Sequence, residues 1–485
     1  MHFLPKFDTN VQELKYKVLR EVARLAKEDR LTENLLSIPE TIIPGPEPTT
    51  RCCIYKERAI VGQRIQMAMG GHPSSNEVEV LPIACDECPV TRMTVGDACR
   101  GCIARRCEHA CPKDAISHPN HTAVIDPKKC IACGKCASAC PYGAIVKNTR
   151  PCERACKPGA IHMDENHKAQ IDEEKCVSCG ACVYQCPFGA IVDKSYILPV
   201  ISMLKETAVP GAGPLYAVVA PSIAGQFGGI KTGQISNALK ALGFTDVIEA
   251  ALGADIVAYH EAQELKERGF LTSSCCPAFV SYIRKFYPAV ADHISSNLSP
   301  MAAIGRLIKR AHPDAKIVFI GPCVAKKAEI KAERVREIID AAITFEELQA
   351  LFDAYEIDLA AMEEGALNNA SYFGRIFARS GGLRDAVAEA LKEQGVEPEE
   401  FELKPISCSG LEECKVALLK AQRGILNENF IEGMACEQGC IGGPGCLTHG
   451  AKEASLVDKY GRLALEQRID DALVICDLLG IPANE

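Results

Sequence analysis

An α/β domain, preceded by a cysteine-rich α+β region and a helical N-terminal segment, is the architecture predicted by this 485-residue sequence. Three observations predict it. Residues 10 to 38 repeat apolar positions at helical spacing with charges between them. From Cys85 to Cys186 a short cysteine pattern recurs. Beyond residue 213, apolar runs of strand length alternate with helical ones. The expected boundaries are 1–80 for the helical segment, 81–195 for the cysteine array, 196–213 for a linker and 214–485 for the α/β domain.

The chain has 27 cysteines and no tryptophan. Secreted disulfide scaffolds are short and loop-rich, and no apolar signal segment or twin-arginine leader is visible, so metal sites and a cytoplasmic location are expected. No apolar run approaches the ~18 to 20 residues of a membrane helix. A formal net charge of −9 argues against nucleic acid as a partner, although it leaves room for a local basic patch.

Residues 10 to 38 read as one or two amphipathic packing helices. Gly45-Pro46-Glu47-Pro48 breaks the pattern, and a basic helix resumes from Ile54 to Met69, ending at Gly70-Gly71. Cys52 and Cys53 read as buried or incidental thiols before ligands or redox groups.

The array ends its units on CPxxAI or a near variant: Cys111 to Ile116, Cys140 to Ile145, Cys156 to Ile161 and Cys186 to Ile191. Four endings imply two ferredoxin-like pairs. Two units carry the complete bacterial spacing, Cys130, Cys133, Cys136, Cys140 and Cys176, Cys179, Cys182, Cys186. A third, Cys99, Cys102, Cys107, Cys111, is stretched at its middle gap, and the unit at Cys152 and Cys156 lacks its first two thiols. In two-cluster ferredoxins the fourth cysteine of one unit ligates the other cubane. That rule groups Cys99, Cys102, Cys107 with Cys140; Cys130, Cys133, Cys136 with Cys111; and Cys176, Cys179, Cys182 with Cys156. Cys85 and Cys88 supply the CxxC that Cys152 and Cys186 need for a fourth set, with free thiols or zinc as alternatives for that CxxC. Three to four [4Fe–4S] clusters are therefore expected here.

In the α/β region, three loops each place cysteine at the end of an apolar run: Thr272-Ser273-Ser274-Cys275-Cys276-Pro277, Gly321-Pro322-Cys323-Val324-Ala325-Lys326-Lys327, and Gly433-Met434-Ala435-Cys436 through Gly439-Cys440 to Cys446. These loops, in this order, resemble the three signatures of the iron-only ([FeFe]) hydrogenase catalytic domain, across roughly residues 213 to 485. The resemblance implies an α/β domain of the iron hydrogenase large-subunit type. It also implies an H-cluster, a [4Fe–4S] cubane linked to a diiron subsite with carbon monoxide, cyanide and a dithiolate bridge. Cys276, Cys323, Cys436 and Cys440 would hold the cubane, with Cys440 bridging to the diiron unit. Cys275 is left over, and adjacent residues on an extended segment point opposite ways. By resemblance it relays protons.

Before the first loop, Glu261, Glu264 and Arg268 fall at i, i+3 and i+7, along one helix face. Taken alone this is a solvated charged face; by resemblance it continues the proton path, with Ser295 as a hydroxyl link. Lys326 matches the family lysine that holds a cyanide through a charge-assisted hydrogen bond, and Lys327 is expected to be a surface charge. By the same resemblance, Pro221, Ser222, Met301, Phe377 and Met434 would contact the cofactor.

The sequence departs from the best-studied pattern at Gly321 (methionine elsewhere), Phe279 (tryptophan), Met301 (glutamine) and Pro444 within the glycine run. With Cys446, these features resemble a less characterised branch of the family.

The resemblance implies reversible oxidation of dihydrogen, with electrons passing through the array to a soluble carrier, ferredoxin before others, and a need for the diiron maturation enzymes. No nicotinamide fingerprint follows a strand. A hydrogen sensor, or an iron–sulfur assembly protein that binds no diiron unit, are the alternatives.

Overall fold

The computed structural model describes residues 6–74, 76–450 and 452–478. Seven strands of the C-terminal region position everything that follows. Asp246–Glu249, Leu215–Val219, Lys316–Ile320 and Ala341–Ile343 form a four-stranded parallel sheet in that order. Val218 stands opposite both Ile248 and Phe319. A second parallel sheet runs Leu271–Thr272, Phe430–Met434, Pro405–Ser409. Parallel strands are covered on both faces, which is why these segments read as near-continuous apolar runs. Leu215, Ala217, Val218, Ile317, Val318 and Ile320 are all buried.

The three cysteine loops and the Pro221-Ser222 turn leave the carboxyl ends of these parallel strands, where open α/β sheets bind ligands. Pro221 and Ser222 follow Leu215–Val219, and Cys275 and Cys276 follow Leu271–Thr272. Cys323 follows Lys316–Ile320, and Cys436 follows Phe430–Met434.

The N-terminal helix Asn10–Lys27 starts at Thr9, whose hydroxyl accepts from the Gln12 amide. Its apolar stripe (Leu19, Val22, Leu25) is buried in the same core as the four-stranded sheet, each such side chain contributing about 1.5–3 kcal/mol. The stripe packs on helix Phe345–Ala354, so the segment joins the C-terminal core. The basic helix is found at Ile54–Ala68.

The cysteine array folds into short antiparallel pairs. Met93–Val95 pairs with Ile145–Lys147, Ile116–Ser117 with Val124–Ile125, and Ile161–Met163 with Ala169–Ile171. Val78–Val80 pairs with Ile191–Asp193. Their interiors form two separate clusters, one around Met93, Ile116 and Ile145, the other around Val78, Ile161 and Ile191. Among the described residues no helix is long and apolar enough to cross a membrane.

Candidate functional site

Each of the three spacing-derived quartets of the array lines its own cavity. Cys99, Cys102, Cys107 and Cys140 surround one. Cys111, Cys130, Cys133 and Cys136 surround a second. Cys156, Cys176, Cys179 and Cys182 surround a third. The same four thiol donors around each point to one kind of group in all three. Backbone amides aim at the sulfurs: Ala115 donates to Cys111 at 3.3 Å, Ala160 to Cys156 at 3.2 Å and Ser178 to Cys176 at 3.4 Å. Such bonds stabilise thiolate and tune cluster potential.

Cys85, Cys88, Cys152 and Cys186 are also brought together. Burial pushes the Cys152 thiol up to about 12, and the charges of Cys186, Cys85 and Cys88 add to the rise. Ala169 donates to Cys85 Sγ and Ala190 to Cys186 Sγ, both at 3.3 Å, repeating the pattern of the other sets.

Cys276, Cys323, Cys436 and Cys440 converge from three loops. Burial, then the neighbouring thiols Cys323 and Cys276, raise the Cys440 pKa to about 12, and Cys323 is pushed up to about 11. Binding metal here must therefore release protons. Two glycines make the approach possible. A Cβ on Gly433 would come within 2.2 Å of the Phe279 ring, which occupies the position of the family's tryptophan. Gly439 takes φ +88° and its missing Cβ would meet the Ser380 amide at 2.7 Å. Cys179 acts on Cys436 and Cys276 on Cys179, so the third array quartet adjoins this one. Cys152 acts on Cys182, which brings the fourth set next to the third.

Cys275 is buried, and after burial the charged group that most raises its pKa is Glu261. Glu261 Oε1 accepts from the Ser274 amide at 3.0 Å and the Ser274 hydroxyl at 3.1 Å. Full burial pushes the Glu261 carboxyl up to about 7 against these bonds. Ser295 Oγ, near enough to Glu261 to pull that value down, donates to Glu264 Oε2 at 2.9 Å. Glu264 is held by Arg268 at 2.7 Å on the half-exposed end of helix Ala250–Arg268. The structure thus lines up the sequence-predicted residues from Cys275 outward.

Lys326 Nζ lies 3.4 Å from the Cys275 carbonyl and 2.7 Å from Glu329. Burial works against its charge, but Glu329 and the Cys323 thiol outweigh it and raise its pKa. The expectation that Lys327 is a surface charge is wrong. It is fully buried, 2.9 Å from Asp193 and 2.7 Å from Glu347, because the helix Val324–Glu329 turns the second lysine into the joint between array and α/β core.

Ser222, Met301, Phe377 and Met434 are buried and Pro221 is half-buried. Ser222 Oγ and Glu261 Oε2 are buried with no hydrogen-bond partner among the described residues. Four converging thiols with the Lys326 ammonium 3.4 Å from the adjoining Cys275 carbonyl fit a metal group with polar ligands of its own. A Cβ at Gly321 would meet the Phe319 ring at 2.7 Å, so the ring fills space beside the position where the family carries methionine.

Two features escaped the sequence reading. Glu432, buried on strand Phe430–Met434, accepts from Ser407 Oγ at 2.6 Å and the Gly381 amide at 2.9 Å and acts on both Cys275 and Cys440. A lone carboxylate in an apolar strand was its only signal. Cys408 and Cys414 are buried together, the proximity of Cys408 raising Cys414.

Fold and donor sets define an iron–sulfur protein with several four-thiol sites. The 4Fe-4S binding domain family matches residues 123–146 and 169–192, and the family of the C-terminal domain of the iron-only hydrogenase large subunit matches residues 213–444. Iron hydrogenase 1 of Clostridium pasteurianum is 30% identical over 408 residues, spanning 73% of this chain and 70% of that protein. The periplasmic [Fe] hydrogenase large subunit of Nitratidesulfovibrio vulgaris is 30% identical over 378 residues, 67% of this chain and 86% of that protein. A cytosolic Fe-S cluster assembly factor of Kluyveromyces lactis is 34% identical over 93 residues, 19% of this chain and 20% of that protein. The chain belongs to the iron-only hydrogenase family.

Proposed function

We propose that this protein interconverts dihydrogen with two protons and two electrons and exchanges the electrons with a soluble carrier, ferredoxin before others. The observation that carries this reading is the fifth thiol. Cubane binding by Cys276, Cys323, Cys436 and Cys440 uses four, yet Cys275 is buried beside them and faces Glu261. A site built only for electron transfer needs neither.

In this reading Cys276, Cys323, Cys436 and Cys440 would hold the cubane of an H-cluster, and Lys326 and Ser222 would contact its diiron part. When bound, that group supplies the metal centre at which the H–H bond is made or broken. The protein supplies the proton and electron routes. Cys275 Sγ holds a proton at the buried end. Glu261 exchanges it, rotation of the Ser295 hydroxyl passes it to Glu264, and Arg268 holds Glu264 at the water-facing end. The quartet of Cys156, Cys176, Cys179 and Cys182 adjoins the one at Cys276 and the set of Cys85, Cys88, Cys152 and Cys186 adjoins that quartet, so clusters held there would offer electrons a route, which those held by the sets at Cys99 and Cys130 would extend.

Infrared spectroscopy of protein produced with the diiron maturation enzymes tests the reading. Bands of metal-bound carbon monoxide and cyanide are expected. A fully cubane-loaded protein without them would leave the assembly-protein reading, which the Kluyveromyces lactis relative favours. Bands without hydrogen turnover would leave a sensor.

A further inference from the structure

The lobe that carries the quartets at Cys99 and Cys130 differs in charge from everything else in the chain. Between residues 92 and 147 there are nine lysines and arginines against four acidic residues, a net +5, which leaves −14 for the rest of a chain whose formal charge is −9. All nine basic side chains are exposed. Among the described residues only Arg105 makes an ion pair, with Glu108 at 3.6 Å. Basic side chains normally find carboxylates in an acidic protein, and these do not.

The same lobe exposes apolar side chains in its cysteine loops. Ile103, between Cys102 and Cys107, is 100% exposed. Ile131, between Cys130 and Cys133, is 57% exposed, and Tyr142, just after Cys140, is 56% exposed. Tyr142 lines the first cavity together with Arg100 and Arg106, and Ile131 lines the second together with Lys113. Cys133 is itself exposed, so the second cavity lies just under the surface. A solvated positive surface has no use for isoleucine at its outermost points, whereas a docking face combines an apolar centre with a charged rim.

We infer that this face is the docking site for a small acidic protein carrying a one-electron centre. Three features select that occupant. The charge is complementary only to an anionic surface. The apolar residues sit in the loops that enclose the cavities, so a partner pressed on them brings its redox centre close to a cluster, which the steep distance dependence of electron transfer requires. The lobe has its own interior, separate from the cores that the quartet at Cys276 packs against, and its cysteine loops are turned to solvent at Ile103, Ile131 and Tyr142. Thiolate-ligated clusters are themselves anionic, but they lie beneath the loops, and an approaching partner meets the arginines and lysines first. A nucleic acid would also be drawn to the charge, but it would gain nothing from Ile103 placed over a cysteine loop.

The inference rests on the electron-exchange part of the proposed function and not on hydrogen turnover. It is therefore tested by the bleaching of the protein's own clusters. Full-length, cluster-loaded protein is mixed in stopped flow with a reduced, acidic 2[4Fe–4S] ferredoxin, and separately with reduced methyl viologen as a cationic donor. The ferredoxin rate should fall about tenfold or more as ionic strength rises from ~20 mM to ~0.5 M, while the viologen rate does not fall. The triple variant Lys128→Glu, Lys129→Glu, Lys147→Glu, exposed residues of the same lobe that line neither cavity, should lose a similar factor with ferredoxin at low salt and keep its iron content and its viologen rate. The triple variant Lys17→Glu, Lys240→Glu, Lys420→Glu makes the same change in net charge elsewhere and should react like the wild type. Equal slowing by both triples, or a ferredoxin rate indifferent to salt, would overturn the inference. So would a labelled single-stranded RNA that binds the wild type but not the first triple while ferredoxin reacts equally with both.

Discussion

Lys327 Nζ lies 2.7 Å from Glu347 and both side chains are fully buried, while Lys326, one residue earlier, turns its ammonium toward the carbonyl of Cys275. Two adjacent lysines thus divide the work: one ties the array to the α/β core and the other faces the site.

Lys327→Ala should leave Asp193 and Glu347 buried with one countercharge fewer and lower stability by about 3–5 kcal/mol, seen in chemical denaturation. Lys15, which also reaches Asp193 at 2.5 Å, softens the loss. Lys326→Ala should leave the denaturation midpoint nearly unchanged and instead lower diiron occupancy or shift the cyanide bands. Equal stability losses from the two variants would contradict this division.

The fourth array set is tested by iron analysis. With four array cubanes, one site cubane and one diiron unit, the full complement is about 22 iron atoms per chain. Cys85→Ser with Cys88→Ser should remove about four of them and leave the infrared bands in place. Unchanged iron would show that the two thiols are not ligands.

Asp255 offers a pH test away from the cysteines. It accepts from the Ser371 amide at 2.8 Å and hydroxyl at 2.5 Å, yet burial raises its pKa from 3.8 to about 7. The folded state therefore holds this proton more tightly than the unfolded chain does. The resulting stabilisation is complete below about pH 4 and is lost as pH rises through about 7. Melting temperature should fall over that interval, and Asp255→Asn should flatten the fall. A wild-type melting temperature that climbs from pH 5 to 8, with no effect of the variant on its slope, would contradict the assignment.

Spacing alone made the quartets legible because cluster geometry dictates it: Cys130, Cys133 and Cys136 can reach one cubane only from a tight loop. Helical periodicity likewise put Glu261, Glu264 and Arg268 on one face. What stayed hidden depends on partners far apart in sequence. Nothing near Lys327 announces Asp193 or Glu347, and nothing near Glu432 announces Ser407 or Gly381. The packing of Asn10–Lys27 on Phe345–Ala354 was invisible for the same reason, since an amphipathic stripe shows that a helix packs and not where.

The positions of Glu261 and Glu264 predict a graded effect. Glu261→Ala removes the group facing Cys275 and should slow hydrogen evolution by ~10² or more, while Glu264→Ala should cost less. Both Ser274 and Ser295 line a solvent-open cleft, so water can reach the path above Glu264. Neither variant should change iron content.

The most direct test is hydrogen evolution from a chemical reductant by wild type and Cys275→Ala, each normalised to diiron occupancy by infrared. A methyl group cannot carry a proton, and a positioned donor is worth ~10² to 10⁴ in rate, so the variant should assemble every cluster and lose turnover by that factor. Cys275→Asp, which can still exchange protons, should keep part of it with an altered pH profile. Near-wild-type turnover in fully loaded Cys275→Ala would contradict the account.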